Sequence, residues 1–326
     1  MKFLCITLII SLSFLYGKEY QEDFSHTFQV KKGASLKLKN GDGKVNISTW
    51  DKDEIKVDVF YHVNSKSSRE DDDKVFDVEF RESGDRIFVT GKERNKVHFG
   101  FFSIQYIDYR YEISLPAYVN IDVDGDDGDV KIEDLEGNIQ MRIDDGDVHL
   151  NNIANEFTEI KIKDGDVNIN SLKGILYIRA DDGNVTLANI ETKEGEVSTS
   201  DGRIRIRDGK GDFFVDSDDG DISLVNIAGE KLDVKTQDGD VDVLFSGEGE
   251  VSIAINSNDG SVDVELDKNI SAQFSIETDD GRIRFDVANS DISRESRKYI
   301  TGDIGEGDGK LKVRTNDGPI TISSSY

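Results

Sequence analysis

The chain has 326 residues, a formal net charge of −27 at pH 7 and one cysteine, Cys5. So large an excess of carboxylates repels nucleic-acid phosphates and anionic membrane surfaces, so no nucleic acid is expected as a partner. With a single cysteine no intramolecular disulfide forms, so the chain depends on apolar burial for its stability.

The first 17 residues have the layout of a secretory signal peptide. Lys2 is followed by a largely apolar run from Phe3 to Tyr16, and a short positive end before a short apolar core is typical of such signals. The run is shorter than the roughly 20 apolar residues of a membrane span. We therefore expect cleavage after Gly17 and export to the periplasm, the outer membrane or the cell surface, with no transmembrane span in the mature chain. The alternative is a short N-terminal anchor that stays uncleaved.

An Asp-Gly dipeptide recurs along the chain at a nearly constant interval. The successive glycines of the regular block are 18, 19, 18, 19, 18, 19, 21 and 21 residues apart. They are Gly128, Gly146, Gly165, Gly183, Gly202, Gly220, Gly239, Gly260 and Gly281, with further copies at Gly43 and Gly318 outside the block. A fixed period of this length indicates a repeat architecture.

Apolar residues alternate with polar ones on both sides of each glycine. Counted from the glycine, positions +2, +4, −5 and −7 are mostly apolar, as in Val130 and Ile132 or Ile139 and Met141. Alternation of this kind predicts strands with one buried face. We predict an all-β fold: a parallel β-solenoid (β-helix or β-roll) with about 18–19 residues per coil and capped ends. The alternative, an antiparallel sandwich, does not require the same register in every repeat.

The pattern divides the chain into four segments. They are a signal peptide (1–17), an N-terminal coil plus capping insert (18–119), regular solenoid repeats (120–287), and a C-terminal insertion with a closing coil (288–326). Insertions near the end of a solenoid are typical of caps, which cover strand edges that would otherwise aggregate.

Aspartates around the turn glycine form the sharpest candidate site. Carboxylates stacked about 4.8 Å apart repel one another by roughly 1 kcal/mol even in water. Calcium relieves such repulsion, because it binds several carboxylate and carbonyl oxygens. The alternative is that aspartate suits the turn and its charge keeps the chain soluble. The candidate calcium ligands are Asp127, Asp129, Asp145, Asp147, Asp164, Asp166, Asp219 and Asp221; no other cofactor is expected.

The N-terminal insert carries aromatic residues that would suit contact with a protein or glycan at the cell envelope. The alternative is that these rings pack the cap against the first coil. The candidate contacts are Phe99, Phe101, Phe102 and Tyr106, in a cluster that continues to Tyr109 and Tyr111.

No motif in the chain indicates an enzyme. The four histidines, His26, His62, His98 and His149, form no HExxH pair, and neither a GxSxG elbow nor a P-loop is present. Two non-enzymatic functions stay open: a surface binding module, and a structural envelope scaffold with calcium along its acidic edge.

Three short stretches resemble the "putative adhesin" family, a bacterial domain family of unknown function. They are Gly43–Ile47 with Trp50–Glu54 and Val57–Val59 behind it, Tyr111–Pro116, and Gly302–Gly305 continuing through Leu311–Gly318. The resemblance implies a β-solenoid exported to the cell envelope or surface, and it brings no catalytic residues. Many turns that are Ser-Gly or Asn-Gly in that family are Asp-Gly here.

Overall fold

The structure, a computed structural model, describes residues 18–65, 76–93 and 104–324, and side chains within 21–62, 76–92 and 108–324. Within these ranges the chain forms 26 strands, most of them paired in parallel, which confirms the all-β solenoid. No helix of the described part is long and apolar enough to cross a membrane. The chain divides into two compact units, Met1–Ala154 and Asn155–Tyr326. The predicted signal peptide lies outside the described residues.

The N-terminal unit places the first coil of the sequence inside its stack. Its strands are β1 (Lys18–Gln29), β2 (Ser35–Asp42), β3 (Lys44–Trp50), β4 (Glu54–Ser65), β5 (Phe76–Ser83), β6 (Arg86–Glu93), β7 (Ile104–Pro116), β8 (Asn120–Asp127), β9 (Val130–Glu133), β10 (Ile139–Asp145) and the first part of β11 (Val148–Asp164). Strand β2 lies parallel between β6 and β8, and β3 lies parallel between β7 and β9. Antiparallel pairs β1–β4, β4–β7 and β5–β6 lie beyond these strands.

The C-terminal unit stacks the regular coils in parallel register. Its further strands are β12 (Val167–Asp182), β13 (Val185–Asp201), β14 (Ile204–Asp219), β15 (Ile222–Ala228), β16 (Lys231–Asp238), β17 (Val241–Phe245), β18 (Gly249–Glu250), β19 (Ser252–Asp259), β20 (Val262–Leu266), β21 (Ile270–Thr278), β22 (Ile283–Asp286), β23 (Ser290–Glu295), β24 (Tyr299–Ile304), β25 (Gly309–Asp317) and β26 (Ile320–Ser324). The antiparallel strands β23 and β24 pair beside β21.

The last coil of the sequence is not the last coil of the stack. Strand β25 pairs in parallel with β19 on one side and with β21 on the other. Strand β26 lies in the same way between β20 and β22. The sequence placed this pair as the closing coil. In the structure β25 and β26 keep the predicted register, but the coil of β21 and β22 lies beyond them at the end of the stack.

The turn glycines stack so closely that no side chain fits between them. A Cβ built on Gly128 would lie 2.7 Å from the carbonyl carbon of Gly43, and one built on Gly146 would lie 2.7 Å from that of Gly128. In the C-terminal unit the same contact joins each turn glycine to the carbonyl of its neighbour, and Gly318 lies between Gly260 and Gly281. The glycines therefore permit close stacking of the coils, besides the positive φ that several of them adopt.

Hydroxyl groups support the turns from inside the C-terminal unit. Position −3 is a buried Thr or Ser in six coils: Thr199, Ser217, Thr236, Ser257, Thr278 and Thr315. Thr278 donates its hydroxyl to the Gly318 carbonyl at 3.0 Å, and Thr199 donates to the Gly183 carbonyl at 3.3 Å. Ser217 and Thr315 donate to the neighbouring coil in the same way, so four of the six hydroxyls tie their turn to the next coil.

A second bend, six positions after the glycine, divides the long strands. Residues there take the left-handed conformation with φ between 54° and 64°: Asp134, Asn152, Ser171, Asn189, Asp208 and Asn226. Their side chains also bond between coils, since the Asn226 amide donates to the Asp208 carboxylate at 2.6 Å. Asn and Asp tolerate this conformation best among residues with a side chain. The bend puts two exposed residues in succession and so resets the alternation.

The inserted coil provides a test of the stacking order. Deleting residues 309–326 removes β25 and β26 and leaves β19 and β21 without the strand between them. We expect faster amide hydrogen exchange in both strands, and recovery when a synthetic peptide of residues 309–326 is added. The same peptide with Gly318→Ala should bind at least tenfold more weakly, because the added methyl meets the Gly260 carbonyl. A truncated chain as protected as the full chain would contradict this role.

Candidate functional site

The aspartates before the turn glycine form exposed columns. In the N-terminal unit Asp127 is the register partner of Asp145. In the C-terminal unit the column runs through Asp182, Asp201, Asp219, Asp238, Asp259 and Asp317. Their backbone carbonyls are used within the stack, since Asp145 accepts from the Gly128 amide at 2.9 Å. Their side chains point to solvent.

The residues after the turn glycine form a second column whose carboxylates accept backbone hydrogen bonds. Asp129 accepts from the Asp147 amide at 3.2 Å, Asp166 from the Asn184 amide at 2.8 Å, and Asp240 from the Ser261 amide at 2.8 Å. An asparagine does the same, because Asn184 accepts from the amide of the next coil. These aspartates therefore have a structural role that the sequence did not predict.

Cations in the same column offset part of its negative charge. The Lys44 ammonium lies 2.9 Å from the Asp129 carboxylate, and the Arg203 guanidinium lies 3.2 Å from that of Asp221. The Lys44 bond and the Asp147 amide hold the pKa of Asp129 below its usual value, against the opposing effect of burial. Repulsion along this edge is thus smaller than a count of aspartates predicts.

The candidate calcium ligands lie on these two columns of the turn edge. In the described part of the chain no group of three or more His, Cys, Asp or Glu side chains is arranged to hold a metal ion. Calcium binding along the edge therefore stays one of two open hypotheses, the other being that aspartate suits the turn and keeps the chain soluble.

The aromatic candidates divide into two groups. Tyr109 and Tyr111 are buried, and the Tyr109 ring stacks on Phe76 with centroids 4.7 Å apart. The Tyr111 hydroxyl donates to the Asn40 carbonyl at 3.1 Å. These two rings therefore pack the N-terminal unit. Phe99, Phe101 and Phe102 lie outside the described residues, as does the side chain of Tyr106, so their contact role stays a prediction.

A different aromatic patch lies on the outward side of the C-terminal unit. Tyr177, Glu196, Phe214 and Asp233 are register partners on successive coils, six positions before the turn glycine. We call them the ring–carboxylate column, because aromatic rings alternate with carboxylates along it. Phe157 packs beside Tyr177 with ring centroids 5.7 Å apart.

The two rings of the column have different neighbours. Lys231 of the next coil places its ammonium 4.3 Å from the centroid of Phe214. The corresponding neighbour of Tyr177 is Glu194, whose carboxylate accepts a hydrogen bond from the Tyr177 hydroxyl. Desolvation and then this hydrogen bond raise the pKa of Tyr177. Among the described residues no cation lies over the Tyr177 ring.

The aligned repeats contain enough information to predict this patch. Along single columns the outward residues are mixed in sign and form no regular array. The contact between Lys231 and Phe214 is diagonal, two positions away and one coil on. Comparing diagonal neighbours would have separated the covered ring of Phe214 from the ring of Tyr177.

The stacked coils and turn columns define a β-solenoid of Asp-Gly repeats. A family model described as Toastrack DUF4097 matches residues 33–174 and again residues 172–323. The chain therefore belongs to the Toastrack DUF4097 family, a domain family of unknown function, and contains the domain twice. The family match confirms the resemblance drawn from the motifs.

Several solved structures are similar to the chain at low identity. A "putative adhesin" from Bacteroides fragilis is 12% identical over 92% of this chain and 96% of that one, with a TM-score of 0.38. A "putative adhesin" from Parabacteroides merdae is 8% identical over 93% and 96%, with a TM-score of 0.40. A "putative lipid binding protein" from Parabacteroides distasonis is 11% identical over 93% and 97%, with a TM-score of 0.42. None of the curated proteins compared with the chain matches it.

Asp129 gives a pH-dependent test of the turn edge. Asp129→Asn keeps an acceptor for the Asp147 amide but loses the Lys44 ion pair, so we expect a loss of about 0.5 kcal/mol in the free energy of unfolding. Asp129→Ala loses both bonds and should cost about 1–2 kcal/mol. Because the folded-state pKa is lowered, the advantage of the wild type over Asp129→Asn is present above about pH 4 and is lost as pH falls through that pKa. Urea unfolding at pH 7 and pH 3 measures both effects; equal losses at the two pH values would contradict the assignment.

Calcium is tested by thermal unfolding in chelator and in millimolar calcium. We expect the same Tm in both, because the carboxylates after the glycine already accept amide and cation bonds. Magnesium at equal ionic strength is the control. A Tm several degrees higher in calcium alone would establish a structural calcium site, since a ligand bound only to the folded state stabilises it.

Proposed function

We propose that this protein is an exported, non-catalytic binding module of the cell envelope or surface, and that the ring–carboxylate column contacts its partner. The observation that carries the proposal is the difference between the two rings. Phe214 is covered by the protein's own Lys231, whereas Tyr177 has the same outward position with carboxylates around it and no cation over its ring.

The chemistry of the column favours a basic protein as the partner. A lysine or arginine over an aromatic face gains about 0.5–1 kcal/mol at an exposed site and more when it is desolvated. Glu194 and Glu196 lie on the coil next to Tyr177, so a cation there would meet carboxylates and a ring together. Lys231 on Phe214, with its backbone amide bonded to Asp212 at 3.0 Å, is an example within the same unit.

Charge and the N-terminus support this proposal. A net charge of −27 draws basic partners by long-range attraction. The signal-like layout of residues 1–17 supports export. A structural scaffold, the other function left open by the sequence, makes no use of the Tyr177 ring.

The binding proposal is tested with a fluorescent Arg- and Lys-rich peptide titrated against the full chain. Tyr177→Ala should weaken binding about fivefold, in line with the loss of one ring–cation contact and its ordered surroundings. Phe214→Ala is the matched control and should change the affinity less than twofold, because its ring is already covered. Lys231→Ala uncovers that ring and should strengthen binding.

The possible results of this titration distinguish between the candidate functions. Equal effects of Tyr177→Ala and Phe214→Ala would overturn the role of the column. Binding of a neutral oligosaccharide with the same Tyr177 dependence would assign a glycan partner instead. No dependence on Tyr177 with either probe would favour the scaffold function.

A further inference from the structure

The strands that follow the turn carry opposite charges on neighbouring coils of the C-terminal unit. Strand β14 presents Arg205 and Arg207, β15 presents Ser223 and Val225, and β17 presents Asp242 and Leu244. We call these outward side chains the Arg–Asp face. It continues on β20 with Asp263 and Glu265. This face lies on a different side of the coil from the ring–carboxylate column, across the Asp-Gly turn.

Two charged groups of this face, Arg205 and Asp242, have no ion pair with a described residue, whereas Arg207 pairs with Asp208 at 3.6 Å. Asp242 lies among Asp263, Asp240 and Asp221, and desolvation followed by these three carboxylates raises its pKa. Arg205 and Asp242 lie two strands apart, roughly 10 Å between Cα atoms, and form no ion pair with each other.

The middle strand of this face, β15, places Ser223 between Arg205 and Asp242 and carries an exposed apolar side chain two positions further on. Val225 is 40% exposed, one of only two large apolar side chains that are exposed among the described residues. Leu244 follows it on the next strand and is half-buried. The three strands therefore present two arginines on β14, a serine and an exposed valine on β15, and a carboxylate and a half-buried leucine on β17.

We propose that the chain forms a two-fold symmetric dimer through the Arg–Asp face. A two-fold axis parallel to β15, lying midway between the two facing sheets, places β14 of one copy opposite β17 of the other. Arg205 then faces the partner's Asp242, and the same pairing repeats on the other side of the axis. A second copy of this chain is the occupant favoured here because the face is complementary to itself, as an isologous contact requires.

The size of the face sets the strength of the dimer. Four strands at about 4.8 Å, each contributing about five residues, give a face of roughly 19 by 17 Å, which is below the usual size of stable specific interfaces. The dimer is therefore weak and depends on salt. The excess negative charge of the chain opposes it little at physiological ionic strength, where the Debye length is about 8 Å.

Charge-reversal variants at Arg205 and Asp242 test the proposed dimer. Arg205→Asp places two carboxylates opposite each other, and Asp242→Arg places two guanidinium groups opposite each other. In sedimentation velocity from about 5 to about 500 µM, each variant alone should associate at least tenfold more weakly than wild type. An equimolar mixture of the two variants should recover association, because each Arg205→Asp chain then faces an Asp242→Arg chain at both positions.

Matched controls separate this pairing from net charge and folding. Lys235→Asp and Asp216→Arg make the same charge changes on exposed residues of the other side of the coil. These controls should keep wild-type association and, like the two test variants, an unchanged circular dichroism spectrum. A wild type that stays monomeric throughout the range, or a mixture that associates no better than its components, would overturn the dimer.

Discussion

Every other feature of this structure depends on the close contact between turn glycines of neighbouring coils. The carbonyl of one glycine occupies the space that a Cβ on the next glycine would need. Because backbone atoms touch there, the coils stack with no freedom to slide, and each strand keeps one register with its neighbour. The outward side chains are held in fixed columns as a result. Both the ring–carboxylate column and the Arg–Asp face are consequences of that register.

The regular part of the fold could be predicted because its information is local. Val130 and Ile132 alternate with polar residues after Gly128, and the same alternation returns in each repeat. The order of the outermost coils could not be predicted in this way. Thr278 and Thr315 occupy the same position relative to their glycines and both are buried, so either coil suits the same neighbour. Long-range strand pairing determines the order of these two coils, and the repeat pattern does not predict that pairing.

The candidate site likewise combines features that follow from nearby sequence with contacts that depend on the stacking of coils. Reading Asp129 and Asp166 as turn aspartates was correct for their position, but their bonds to the amides of the next coil depend on stacking. The contact of Lys231 with Phe214 joins residues 17 positions apart in sequence, a separation slightly shorter than one coil. In a solenoid, outward side chains contact diagonal neighbours of this kind. The repeat period and the residue type in each column therefore predict which residues are buried, but not which outward residues touch.

The two proposed surfaces strengthen each other because they lie on different sides of the coil. A dimer through the Arg–Asp face leaves Tyr177 and its carboxylates uncovered in both copies. A single contact between a cation and a ring is weak, on the order of 1 kcal/mol at an exposed site. Two such sites held in one dimer make the second contact with a multivalent basic partner intramolecular, which raises the effective affinity without any new contact. Weak self-association and weak partner binding then act together, because the local concentration of the protein decides whether a multivalent partner is held.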